Sequence, residues 1–369
     1  MFAPKFRLLL AAVLSLAAGT APSPAAAPRK PAPTPAGAID PNAFRSAIVV
    51  DAATGRVLFE QNADVQNPPA SVTKLMTFLI VSEKLKLGEL ALNTPVTVPR
   101  EAAKMGGSEA WLVDREVVSV EELLYLLMVQ SANDAAMALA MHTTGSREAF
   151  VELMNLRAHD LGMAHTEFHS PHGLPPSRGQ EPDLSTARDL AILSRKLIAE
   201  TDILRYTSTR EHEFRHQNGV VNKFRNHNHL LGLVPGCDGL KTGWYQKAGY
   251  SLAATIQRGG RRIIAVILGS PERKLRDTVT TQLIERGFAA LPPPAAPTQA
   301  VTATLPVATP ATPAATAPSA TAPNPPPPAG KDSSGIKLVP LKPDELKQPP
   351  AATTEPPEAV HVDIPGAKK

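Results

Sequence analysis

The sequence predicts an α/β body that carries an inserted, mostly helical lobe. Three observations lead there. Strand-like text opens the ordered region, at Ser46-Ala47-Ile48-Val49-Val50-Asp51 and Arg56 to Glu60 around an Ala53-Thr54-Gly55 turn. Strand-like text also closes it, at Tyr250 to Gln257 and Arg261 to Leu268, flanking the hairpin signal Arg258-Gly259-Gly260. Between them most periodic segments are helical. If the first and last strands share one sheet, the helical middle is an insertion, and a groove runs where lobe and sheet meet.

Each element has its own signal. A helix runs from Ser71 to about Leu87 and is stopped by Gly88, and Thr94 to Val98 is short and β-like. Ser119-Val120-Glu121-Glu122 is a capping box ahead of the apolar run Leu123 to Met128. That run leads into Ser131-Ala132-Asn133-Asp134 and a second apolar helix to about Met141; its Met and Leu positions are core at helical spacing. Phe150 to Leu161 and Ser185 to Glu200 are amphipathic helices, the second capped by Ser185. A loop, His169-Ser170-Pro171-His172-Gly173-Leu174, separates them, and His172 reads as structural. Glu272 to Ala290 closes the region as a helix, and no internal repeat is present.

Composition divides the 369 residues. Residues 1–27 read as a secretory signal: Lys5 and Arg7 precede the apolar stretch Leu8 to Ala18, and small residues follow. The stretch is shorter than the ~20 residues that span a bilayer. Residues 28–40 are a linker and 41–291 the ordered domain. Residues 292–369 form a Pro/Ala/Thr-rich tail with 20 of the 38 prolines, which cannot bury enough apolar surface to fold. Leu338 to Leu346 is too short and proline-broken to lie on a membrane as a helix, so no C-terminal anchor is expected. The net charge is +4 with no basic stripe among aromatics, which argues against nucleic acid as a partner. Cys237 is the only cysteine, so stability rests on a core without internal disulfides.

Three short motifs carry chemistry. Ser71 and Lys74 stand three residues apart at a helix start, so their side chains share one face. A serine hydroxyl needs a base, and a lysine in a dry pocket can be that base. Ser131-Ala132-Asn133 lies at a junction between two helices, where side chains can enter a groove. Lys241-Thr242-Gly243 precedes a β segment, and a glycine there lets a substrate backbone approach closely. In this order the three form the signature of penicillin-recognising serine enzymes.

The chain resembles the serine-type D-alanyl-D-alanine carboxypeptidases, the low-molecular-mass penicillin-binding proteins, over roughly Ala47 to Ala290. Further text carries the likeness: Ile48-Val49-Val50-Asp51 with Gly55, Glu60-Gln61-Asn62-Ala63-Asp64, Ser170-Pro171-His172-Gly173-Leu174, Thr186-Ala187-Arg188-Asp189-Leu190, and Asn226-x-Asn228-x-Leu230-Leu231. The resemblance implies a β-lactamase/transpeptidase-like fold, a central antiparallel sheet flanked by helices plus a helical subdomain. It implies Ser71 as nucleophile, Lys74 as its base and Ser131 as proton carrier to the leaving D-alanine. Asn133 would hold the acyl-side amide, while Lys241, Thr242 and Arg276 would bind the terminal carboxylate. Gly243 and Trp244 would also belong to the substrate-binding set, and the amides of Ser71 and Trp244 would form the oxyanion hole. The implied partners are peptidoglycan stem peptides, with β-lactams as inhibitors, in an exported, wall-associated setting. No cofactor or metal is implied. Trp244 stands where better-known members carry histidine, and the longer members' β-rich second domain has no counterpart text here.

Other readings stay open beside this one. A DD-endopeptidase that cuts cross-links would use the same residues, and a catalytically inactive wall-binding module would not need them. Glu167 or Glu181 would serve a β-lactamase as deacylating base, but neither has the Glu-x-x-x-Asn context. No tight spacing joins His212, His216, His227 and His229 as a group to an acidic partner, and they read as solvated surface histidines rather than metal ligands. Cys237 reads as a small packed side chain.

Overall fold

A computed structural model describes residues 39–291. The expected leader at 1–27, most of the linker at 28–40 and the tail at 292–369 lie outside the described residues. The opening hairpin is β1 (Ser46–Asp51) and β2 (Val57–Gln61). The helical insertion holds α1 (Lys74–Lys86), the short strands β3 (Pro95–Thr97) and β4 (Val117–Ser119), α2 (Val120–Tyr125), α3 (Asn133–Thr144) and α4 (Arg147–Asp160). It continues through α5 (Ala187–Glu200), α6 (Ile203–Thr207) and the hairpin β5 (Glu211–Arg215) and β6 (Val221–Arg225). Three long strands then follow, β7 (Cys237–Tyr245), β8 (Gly249–Arg258) and β9 (Arg261–Ser270), before the closing helix α7 (Arg273–Ala290).

The first and last strands do share a sheet. Its order is β2-β1-β9-β8-β7, and every neighbouring pair is antiparallel. Register explains why β1, β8 and β9 are apolar without alternation. Ile48 and Val50 face the core under the helical lobe with Val266, while Ala47 and Val49 face α7 with Ala265 and Ile267. Both faces of the sheet are buried, so successive residues on a strand each meet a core. On the α7 side the partners are Val279, Leu283 and Ile284. Strand β7 is the sheet's edge, and it lies against the segment that carries Ser71.

Local details depart from the expectations in four places. Ser71 lies in a 3₁₀ turn, Ala70–Thr73, and the α-helix begins only at Lys74. The helix expected from Ser185 is capped by Thr186, whose hydroxyl accepts from the Asp189 amide at 3.0 Å. Ser185 is engaged elsewhere, bridging Asn67 through its backbone and Thr166 through its hydroxyl. The Ser119 hydroxyl caps α2 as expected, but the Glu122 carboxylate meets His212 rather than closing the box. The apolar run after Tyr125 winds as a π-helical turn, Leu126–Gln130, which ends at Ser131 in a left-handed conformation, φ 62°.

The histidines are the clearest correction. His216 is buried, its Nδ1 3.0 Å from Glu116, with Asn222 on its other nitrogen. His212 stacks on Tyr125 and pairs with Glu122. These pairs fasten β5 to the helical lobe instead of facing solvent. No helix among the described residues is long and apolar enough to cross a membrane.

Candidate active site

Three pieces of chain meet at the junction of sheet and lobe: the turn before α1, the bend between α2 and α3, and β7. Lys74 stands at the start of α1 and is fully buried. Its Nζ lies 3.0 Å from Ser71 Oγ, so the three-residue spacing does bring the pair into contact. The same ammonium donates to Asn133 Oδ1 at 2.6 Å and to the His172 carbonyl at 2.7 Å. Asn133 in turn donates to the Gly106 carbonyl at 2.6 Å. On the other side of the groove Lys241 donates to Ser131 Oγ at 2.9 Å and to the Thr242 carbonyl at 3.0 Å.

Burial sets the electrostatics. Desolvation, followed by the nearby Lys241 charge, lowers the Lys74 ammonium well below the usual 10.5. Desolvation, with Arg276 beside it, lowers Lys241 to about 7. Two lysines that lose protons readily flank two serine hydroxyls in a dry site. That is the arrangement proton shuttling needs. His227 is pushed down to about 4, first by burial and then by Lys241, and so stays neutral near pH 7.

The backbone is shaped to fit. Ala70, just before Ser71, has φ 50°, a strained value for a side chain with a Cβ. Its carbonyl faces Gly173, where an added Cβ would sit 2.0 Å from the Ala70 oxygen. The Gly173 loop is pinned by Asp183, which accepts from the amides of His169 and Ser170 and from the Thr73 hydroxyl. Gly243 closes the other side: a Cβ there would lie 2.4 Å from the Pro69 carbonyl and 3.1 Å from the Ser71 amide nitrogen. Only glycine lets β7 come this near to Ser71.

All nine residues expected at the site are brought together. Ser71, Ser131, Thr242, Gly243, Trp244 and Arg276 line one cavity of about 330 Å³. Lys74 and Lys241 are hydrogen-bonded to the lining serines Ser71 and Ser131, and Asn133 to Lys74. Arg276 is buried and paired with Asp277 at 2.6 Å. Ser108, His227, His229, Tyr250 and Arg273 also line the cavity and were not expected there. His227 and His229 do lie in the Asn226-x-Asn228 text, which was the one sequence signal for them. The carbonyls of His172 and Gly106 carry no side-chain signal at all. His172 itself is buried, neutral with its pKa lowered by burial to about 3, and accepts from the Leu174 amide, consistent with a structural part. Cys237 is partly buried against the Gly239 carbonyl, and burial raises its thiol to about 11, away from reactivity.

Comparison with known proteins points the same way. The sequence profile of the peptidase S11 family, D-alanyl-D-alanine carboxypeptidase, matches residues 34–272. The D-alanyl-D-alanine carboxypeptidase DacF of Bacillus subtilis is 36% identical over 244 residues, covering 66% of this chain and 62% of that protein. DacC of Escherichia coli, of the same description, is 39% identical over 253 residues, covering 66% and 61%. The chain thus spans about three-fifths of the length of these curated relatives. Penicillin-binding protein D2 of Listeria monocytogenes, solved with ampicillin bound, superposes with a TM-score of 0.59 at 34% identity over 67% of this chain and 98% of that one. In sequence and in fold, therefore, the chain belongs to the D-alanyl-D-alanine carboxypeptidase family of serine peptidases.

Proposed function

We propose that this protein removes the terminal D-alanine from peptidoglycan stem peptides through an acyl-enzyme on Ser71. The observation that carries the reading is the contact of Ser71 Oγ with a wholly buried lysine whose ammonium is already destabilised. Neutral Lys74 takes the Ser71 proton as the oxygen attacks the carbonyl of the penultimate D-alanine. The oxyanion is received by the amides of Ser71 and Trp244; donors of this kind typically account for ~3–4 kcal/mol each. Ser131, held by Lys241, hands a proton to the leaving amine and takes one in turn from the Lys74 ammonium, which so returns to its neutral form. The free carboxylate of the departing D-alanine is met by Thr242, Lys241 and Arg276. Water, activated by the same base, then hydrolyses the ester and restores Ser71.

A β-lactam offers a strained amide and a carboxylate in the same positions, so it acylates Ser71 and leaves slowly. Export belongs to the same reading, because peptidoglycan lies outside the cytoplasm and residues 1–27 have the composition of a secretory leader. A fluorescent penicillin tests the site: it should label the protein at Ser71, and Ser71→Ala should not be labelled. Labelling of Ser71→Ala at the wild-type rate would remove Ser71 from the mechanism.

A further inference from the structure

His227 lines the catalytic cavity but takes no part in the acylation steps above. It is half-buried, and its ring makes no hydrogen bond to another described residue. The backbone on either side is nevertheless held fast by two buried asparagines. Asn226 donates to the carbonyls of Thr207 and Thr209 at 3.2 and 3.0 Å and accepts from the Asn228 amide at 2.9 Å. Asn228 donates to the Gly239 carbonyl and accepts from the Leu230 amide, each at 3.1 Å. These bonds tie the bend to the end of α6 and to β7, so the imidazole between them meets the cavity from a rigid support. His229 is more exposed and stands 4.0 Å from Asp277.

Burial and the Lys241 charge keep the His227 ring neutral near pH 7. A neutral imidazole has one N–H and one bare nitrogen, and the bare nitrogen accepts a hydrogen bond. The second half of the reaction needs such an acceptor. Transfer of the acyl group to water retraces its transfer from the peptide, with water in place of the leaving amine. The attacking water must then stand where that amine stood, beside Ser131, on the side of the cavity that D-alanine has vacated. Ser131, Thr242, Arg276 and His227 share this cavity of about 330 Å³. Ser131 can take only one of the two water hydrogens. A water held at that single point would turn freely, and its lone pair would seldom face the acyl carbon.

We propose that His227 holds the water that hydrolyses the acyl-enzyme, and so acts in the second half-reaction alone. This role rests on the D-alanine-releasing reading above and deepens it. The water oxygen forms a bond to the acyl carbon as one of its protons moves to Ser131, which gives its own proton to neutral Lys74. The bond from the acyl carbon to Ser71 Oγ then breaks, and Oγ recovers a proton from the Lys74 ammonium. The second water hydrogen, held by His227 during the attack, stays on the new carboxyl group and is lost to solvent as the product leaves.

An ester analogue of the peptide end, with D-lactate in place of the last D-alanine, tests this role. An alcohol leaves easily, so release of the acyl group limits turnover. Here kcat reports deacylation, kcat/KM reports acylation, and the mass of the intact protein gives the fraction standing as acyl-enzyme. His227→Leu keeps bulk and removes the acceptor. It should lower kcat about tenfold, leave kcat/KM within about twofold, and accumulate the acyl-enzyme on Ser71. His227→Gln returns an acceptor oxygen and should recover most of the lost kcat. If His227→Leu fails to fold, as read from a thermal melt, His227→Ala makes the same comparison. A common fall in kcat and kcat/KM, an unchanged kcat, or a His227→Gln no better than His227→Leu would overturn the role of His227 and leave the proposed function standing. A wild type that releases no product and forms no acyl-enzyme would overturn the proposed function, and this role with it.

Discussion

Replacing Lys241 with methionine should make the protein more stable at neutral pH while disabling it. The group is fully buried, and its ammonium is lowered from 10.5 to about 7, chiefly by desolvation. In the unfolded chain the lysine titrates normally, so between about pH 7 and 10.5 the unfolded state holds more protons than the folded one. Wild-type stability therefore rises with pH across that window, and the penalty is fully present below it. At pH 7 it amounts to about 4 kcal/mol. Methionine keeps the volume and removes the penalty, but it gives up the contacts with Ser131 Oγ and the Thr242 carbonyl, at about 1 kcal/mol each. The net gain is about 2 kcal/mol, or ~4–8 °C in melting temperature for a domain of this size. Near pH 10 the penalty has fallen to about 1 kcal/mol, so the order reverses and the wild type becomes the more stable form. Thermal melts of Lys241→Met and wild type at pH 7 and pH 10, alongside penicillin labelling, make the assay. A variant less stable than wild type at both values, or a difference independent of pH, would refute the electrostatic reasoning.

Three further predictions concern Lys74 and the loop behind it. Lys74→Arg keeps a cation but removes a group that can lose its proton, so penicillin acylation should fall by about 10²-fold or more with the fold retained. In the wild type, acylation should rise with pH through the lowered Lys74 value and level off well below 10.5; a rise centred at 10.5 would show an ordinary lysine. Gly173→Ala should lose about 1–2 kcal/mol from its φ of 78° alone, and more from the clash with Ala70. Because that clash moves the turn that holds Ser71, labelling should slow out of proportion to the melting shift, and unchanged labelling would show that the loop does not set the nucleophile.

Much of this protein was legible from its sequence, for reasons that can be named. Strands β1, β8 and β9 of the central sheet are buried on both faces, so they appear as apolar runs, and one glycine pair marks the β8–β9 turn. The motifs at Ser71, Ser131 and Lys241 each coincide with a change of element, which is where side chains can converge on a groove. What stayed hidden depends on partners far along the chain. His216 looks like a surface histidine until Glu116, 100 residues away, is placed beside it in the core. Lys74 is held by the carbonyl of His172 as much as by any side chain, and a carbonyl leaves no mark on composition. Thr186 takes the cap expected of Ser185 because the neighbouring serine is claimed by Asn67 and Thr166.

The measurement that bears most directly on the central claim is the product analysis of purified muropeptides by mass, with wild type and Ser71→Ala in parallel. The account predicts that pentapeptide stems lose a single alanine with the wild type, that cross-linked dimers persist, and that Ser71→Ala leaves both untouched. Dimers split to monomers while pentapeptide ends survive would contradict it and make the protein an endopeptidase.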